Sequence, residues 1–90
     1  MTDKKVQEIM VITQEECAEV IQALSKIIRF GLGSVHTDGV SNKEHLEEEI
    51  GDLICMFQLM EQKEMIDWSL VSLHAVNKRE KLKKWSKIYE

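Results

Sequence analysis

The stretch EECAEVIQALSK, residues 15–26, sets acids at Glu15, Glu16 and Glu19 inside a segment whose apolar residues recur with a helical period. From Lys4 to Phe30, the residues Val6, Ile9, Ile12, Val20, Ala23, Ile27 and Phe30 keep that period, and no proline interrupts them. At ~100° per residue, Ile9, Ile12, Val20, Ala23, Ile27 and Phe30 lie within ~40° of Glu16, with Glu19 at about −60° and Lys26 at about −80°. Glu16 therefore occupies the middle of the stripe that must be buried. Thr13 and Glu16 have the form of a capping box, but the apolar register runs through them unbroken, so one long helix is predicted over 4–30.

Outward from this helix, the polar stretch GLGSVHTDGVSN carries Gly31, Gly33 and Gly39 and predicts a loop over 31–41. Ser41 followed by Glu44 is a second capping box, which predicts a helix over 42–62 with Leu46, Leu53, Met56, Phe57 and Met60 turned inward. Taking Glu49 as reference, Asp52 lies at about −60°, and Leu53, Met56 and Met60 lie within ~40°. His45 shares this face and is expected to be a surface or packing residue. Asp67 caps a third helix predicted over 67–89, where Val71, Ala75, Lys78, Leu82, Trp85 and Tyr89 follow a 4-3-4-3-4 spacing, the seam of a helix that packs lengthwise on another. The fold class is all-α, an antiparallel helical bundle.

Ninety residues make a single domain, 1–90, close to the size at which one core is only marginally adequate. Three helices are too few both to surround a site and to cover the third-helix seam, so completion by homo-oligomerisation is expected. The formal charge of −4 excludes broad adhesion to nucleic acid or anionic membrane. Lys78, Arg79, Lys81, Lys83, Lys84 and Lys87 form a local basic run, expected to be a solvated helix face. Cys17 and Cys55 lack CxxC spacing and no leader-like segment is visible, so a cytoplasmic location is expected, with the thiols as small apolar fillers.

Two helices that each aim an acid pair at their common interface bring Glu16, Glu19, Glu49 and Asp52 into one region. Taking an unpaired carboxylate out of water costs several kcal/mol per ion, more than so small a domain can absorb four times over. A cation is therefore required. All-oxygen ligation suits a hard ion, Mg2+ in particular, with Mn2+ as a substitute. Zinc is disfavoured because no Cys/His cluster has suitable spacing, and the Glu-x-x-His of helical di-iron proteins is absent.

The pairs Glu16-Cys-Ala-Glu19 and Glu49-Ile-Gly-Asp52 resemble the ExxE and ExxD motifs of the MazG-like all-α nucleoside triphosphate pyrophosphohydrolases, and the likeness extends over most of the chain. The resemblance implies an enzyme that cleaves a nucleotide between its α and β phosphates with Mg2+, giving a monophosphate and pyrophosphate. It also implies a homodimer or a dimer of dimers. By position, Glu16, Glu19, Glu49 and Asp52 match the metal ligands, with one of them or Glu15 orienting the attacking water. Lys26, Asn77, Lys78 and Lys81 match phosphate-binding positions, and the loop 31–39 is suited to close over the nucleotide. Within the same family, a phosphoribosyl-ATP pyrophosphohydrolase or a dUTP/dCTP-specific enzyme fits equally, Gln7, Ile12 and the loop lying where a base would rest. The rival of another class is a noncatalytic helical interaction module.

Overall fold

The computed structural model describes residues 3–90 and is all-helical, with α1 at Lys4–Phe30, α2 at Asn42–Gln62 and α3 at Trp68–Trp85. Each helix starts at a side chain that satisfies otherwise orphaned backbone donors. Asp3 accepts from the Val6 N–H at 2.8 Å, and Asp67 accepts from the Ser69 N–H at 2.9 Å. Ser41 accepts from the Glu44 N–H at 3.1 Å while the Ser41 N–H donates back to the Glu44 carboxylate at 3.4 Å. Thr13 caps nothing. Its hydroxyl donates to the Ile9 carbonyl at 2.6 Å, so α1 passes through it as one helix.

The first helix ends at Gly31, whose φ of 95° no side-chain-bearing residue adopts easily and whose N–H returns to the Ile27 carbonyl at 2.8 Å. The end of α2 uses a less common solution. Glu64 takes φ 58°, its N–H donates to the Glu61 carbonyl at 2.9 Å, and the Met65 N–H donates to the Met60 carbonyl at 2.9 Å. This is the paired bonding of a Schellman stop with glutamate where glycine is usual. The third helix stops at Trp85, four residues before the predicted 89, because Ser86 adopts extended backbone at φ −133°, ψ 158°.

Helices α1 and α2 pack along one another as an antiparallel hairpin, whereas α3 packs along neither. The early turns of α1, around Lys5 and Ile12, lie beside Met56 and Lys63 of late α2, and Glu19 lies beside Glu49. Among the described residues the buried apolar core is Ile9, Ala23 and Met56. Phe30, expected inward, is 58% exposed. The chain measures 43 × 38 × 15 Å with a radius of gyration of 16.1 Å, against about 12 Å for a compact domain of this length. It is a plate one helix thick.

The glycine loop is a folded piece of this plate rather than a free lid. Val35 and Ser41 form an isolated bridge, the His36 N–H donates to the Val40 carbonyl at 3.1 Å, and Gly39 turns the chain at φ 79°. Asn42, the first residue of α2, is only 1% exposed. Its amide donates to the carbonyls of Gly31 at 2.8 Å and Lys26 at 3.5 Å, and its carbonyl oxygen bonds to His36 Nε2. One side chain thus joins the end of α1, the loop and the start of α2.

Two stability changes are expected. Asn42→Ala removes the amide that bonds to the Gly31 carbonyl and to His36 and should cost about 1–3 kcal/mol in chemical denaturation. Glu64→Gly removes a left-handed backbone penalty and should raise stability by about 1 kcal/mol in the same measurement.

Candidate metal and phosphate site

Antiparallel packing sets the acid pair of α1 against the acid pair of α2. Within each pair the residues are three apart, so both carboxylates leave the same face of their helix. Glu16, Glu49 and Asp52 each place a carboxylate oxygen within 4.8 Å of the others. Glu16 and Glu49 are half-buried at the helix interface, while Asp52 is exposed. Glu19 stands outside this trio, exposed, on the wall of an adjoining cleft that it shares with Lys26 and Glu49. Glu15 is exposed beside them.

The trio carries charge that the chain does not neutralise. Among the described residues the ion pairs are His45 with Asp38 and Lys83 with Glu80, and neither touches the acids. Removal from water pushes the Glu16 carboxyl above its ordinary range, and the charges of Asp52, Glu19 and Glu15 push it further. Desolvation likewise raises Glu49, with Glu19, Asp52, Glu16 and Glu48 adding repulsion. Three convergent oxygen donors that repel one another form a fitting cage for a hard divalent cation, and a poor one for a soft metal.

The adjoining cleft, about 40 Å³, runs from the acids past Lys26 to Asn42 and His45. His45 Nε2 lies 3.2 Å from Asp38 Oδ2 in the glycine loop, and its ring meets His36 edge to face at 5.5 Å between centroids. Asp38 is held below the usual carboxylate range, first by the Val40 N–H that donates to it at 2.9 Å and then by the charge of His45. His45 is thus a wall of the site, not a bystander. Its position one turn before Glu49 was the available signal. Asn42 gave none, because a buried amide at a helix start looks in sequence like any capping residue.

Asn77, Lys78 and Lys81 are not brought to the acids within one chain, since α3 packs along neither α1 nor α2. Lys78 and Lys81 instead flank a separate cleft of about 220 Å³ with Leu82 and Trp85. Ile12 lines a third cleft nearer the start of α1, and Gln7 is exposed.

Residues 4–86 match the model of the MazG nucleotide pyrophosphohydrolase domain. No curated protein and no solved structure matches the chain. The match takes in all three helices and both acid pairs, and the chain belongs to the MazG nucleotide pyrophosphohydrolase family.

The raised carboxyls have a consequence for stability. A group whose folded pKa is raised stabilises the fold fully below its unfolded pKa and loses that contribution as pH rises through the folded value. Glu16→Gln should therefore raise the Tm of the metal-free protein at pH 7, and the gain over the native chain should vanish below about pH 4, where both are uncharged. In saturating Mg2+ the order should reverse, because the native chain gains more from the ion. Thermal unfolding across pH, with and without Mg2+, measures all three.

Proposed function

We propose that this family member hydrolyses (deoxy)nucleoside triphosphates between the α and β phosphates, releasing a nucleoside monophosphate and pyrophosphate. The observation that carries the proposal is the convergence of Glu16, Glu49 and Asp52 within 4.8 Å, next to a cleft holding Lys26. Glu16, Glu49 and Asp52 would hold Mg2+ or Mn2+, with Glu19 completing the set from the cleft side. Such an ion supplies charge neutralisation to the triphosphate and lowers the pKa of bound water.

The remaining work falls to the chain itself. Lys26 presents a point charge to the departing pyrophosphate oxygens. One carboxylate of the set, or Glu15 beside it, orients the water and takes its proton as the oxygen attacks the α phosphorus and the α–β bridge breaks. Because the acids stand on two packed helices, their geometry is set before substrate arrives. Asn42 and the His45–Asp38 pair keep the loop against the cleft, which shapes the site around the phosphates. Water exclusion comes from a preformed wall.

A homodimer or dimer of dimers is part of this proposal. Ile21, Leu24 and Ile28 form an apolar stripe on α1, 67%, 45% and 84% exposed, that a single chain leaves uncovered. A second copy covers such a stripe and brings α3 residues such as Asn77, Lys78 and Lys81 within reach of a neighbouring site. Among the described residues no helix is long and apolar enough to cross a membrane.

Purified protein with Mg2+ and a panel of ribo- and deoxynucleoside triphosphates, with phosphoribosyl-ATP included, should release pyrophosphate from at least one member. Silence across the whole panel rejects the proposal. Asp52→Ala and Glu49→Ala should each lower turnover by more than about 100-fold while far-UV circular dichroism stays unchanged, since even outer-shell partners of metal ligands cost about 10- to 100-fold.

A further inference from the structure

The net charge conceals a division along the chain. Residues 68–90 hold six Lys and Arg against two acids, a balance of +4, while residues 1–67 hold the other six against fourteen acids, a balance of −8. The fold keeps the two parts separate, because α3 packs along neither α1 nor α2. Among the described residues Lys83 is the one cation of the basic run that is in an ion pair, with Glu80. Lys78, Arg79, Lys81, Lys84 and Lys87 stand outside any ion pair there.

Two open aromatic rings lie among these cations, Trp85 at 87% exposure and Tyr89 at 52%. Lys78, Lys81, Leu82 and Trp85 line a cleft of about 220 Å³, so the indole stands beside two ammonium groups. Such a cleft suits a flat ring stacked on the indole and an anion against the lysines, the two parts of one nucleotide unit. The cations also surround the helix. With Leu82 as zero at ~100° per residue, Lys78 lies at about −40°, Lys81 at about −100°, Lys84 at about −160°, Arg79 at about 60° and Lys83 at about 100°. In these turns the apolar strip between Lys78 and Arg79 holds Leu82 alone, whereas a helix lying in a bilayer surface needs a broad apolar face. A single triphosphate meets only the side on which it lies, but a strand with a phosphate at every unit can follow charges around a helix end. A duplex keeps its bases stacked away from Trp85 and Tyr89, and a single strand offers them.

We propose that the exit of α3 binds single-stranded nucleic acid, with Trp85 and Tyr89 stacking on bases while Lys78, Arg79, Lys81, Lys84 and Lys87 meet the phosphates. The acidic hairpin repels the same polyanion, so contact is confined to the exit. This binding goes beyond the hydrolysis assigned to the acids and does not depend on it. Where Lys78 and Lys81 reach a neighbouring acid site, strand and triphosphate exclude each other.

The test titrates the full chain into a fluorescently labelled oligodeoxythymidine of about twelve nucleotides and reads anisotropy, in about 50 mM KCl with EDTA so that no nucleotide is hydrolysed. The strand should bind, and log K should fall against log salt with a slope of about −3.5, from five free cations at about 0.7 each. Lys84→Ala with Lys87→Ala should reduce that slope by about 1.4. Trp85→Ala should weaken binding about 5- to 100-fold with the slope kept, and Trp85→Phe should recover most of the loss. These side chains are exposed, and far-UV circular dichroism should stay unchanged. Absence of binding, or a Trp85→Ala chain that binds like the native one, overturns the proposal. Thymidine triphosphate that displaces the label as well as unlabelled strand does so also, by making the exit a mononucleotide site, as does duplex that competes equally. Capture by phosphatidylserine vesicles without strand binding assigns the exit to a membrane surface and overturns it too. A pyrophosphate assay with Mg2+ on the same sample reports separately on the enzymatic proposal.

Discussion

Ile9 and Ala23 of α1 can be buried against Met56 of α2 only at one rotation of each helix, and that rotation turns Glu16 toward Glu49 and Asp52. Apolar packing therefore compels a charge cluster. Turning either helix to separate the carboxylates would expose the few apolar side chains that hold the hairpin together. The strain appears as carboxyls pushed upward by desolvation and mutual repulsion. A divalent cation held there would remove the repulsion without moving the helices.

The same thin core governs the rest of the molecule. With Ile9, Ala23 and Met56 as its buried apolar residues among those described, the hairpin has a thin core, and α3 stands apart from it with its seam open. A domain this small needs either more internal packing or a partner. The uncovered stripes on α1 and α3 lie on different helices. Within one chain the lysines and asparagine of α3 stay apart from the acids, because α3 packs along neither helix of the hairpin.

The glycine loop joins α1 to α2, and there one amide carries much of the organisation. Asn42 satisfies the Gly31 and Lys26 carbonyls and bonds to His36, while His45 engages Asp38. The loop is consequently tied to the first turn and a half of α2, and those turns lead directly into Glu49. Loop position and carboxylate position are coupled through a helix start.

The all-α class, the three helices and the inward direction of Glu16 and Glu49 were legible in the sequence, because 3.6-residue periodicity and capping side chains are local properties that each helix carries alone. The Ser41–Glu44 box is a case in point. The glutamate at φ 58° closing α2 was not legible, since the usual marker there is glycine, and neither were the placement of His45 on the cleft and the bonding of Asn42. Whether Glu19 joins the trio, and whether Lys78 or Lys81 approaches the acids, was likewise decided only by tertiary structure. Periodicity states in which direction a side chain leaves its own axis. The distance between side chains on two axes depends on the rotation, offset and contact of whole helices, which no single segment of sequence contains.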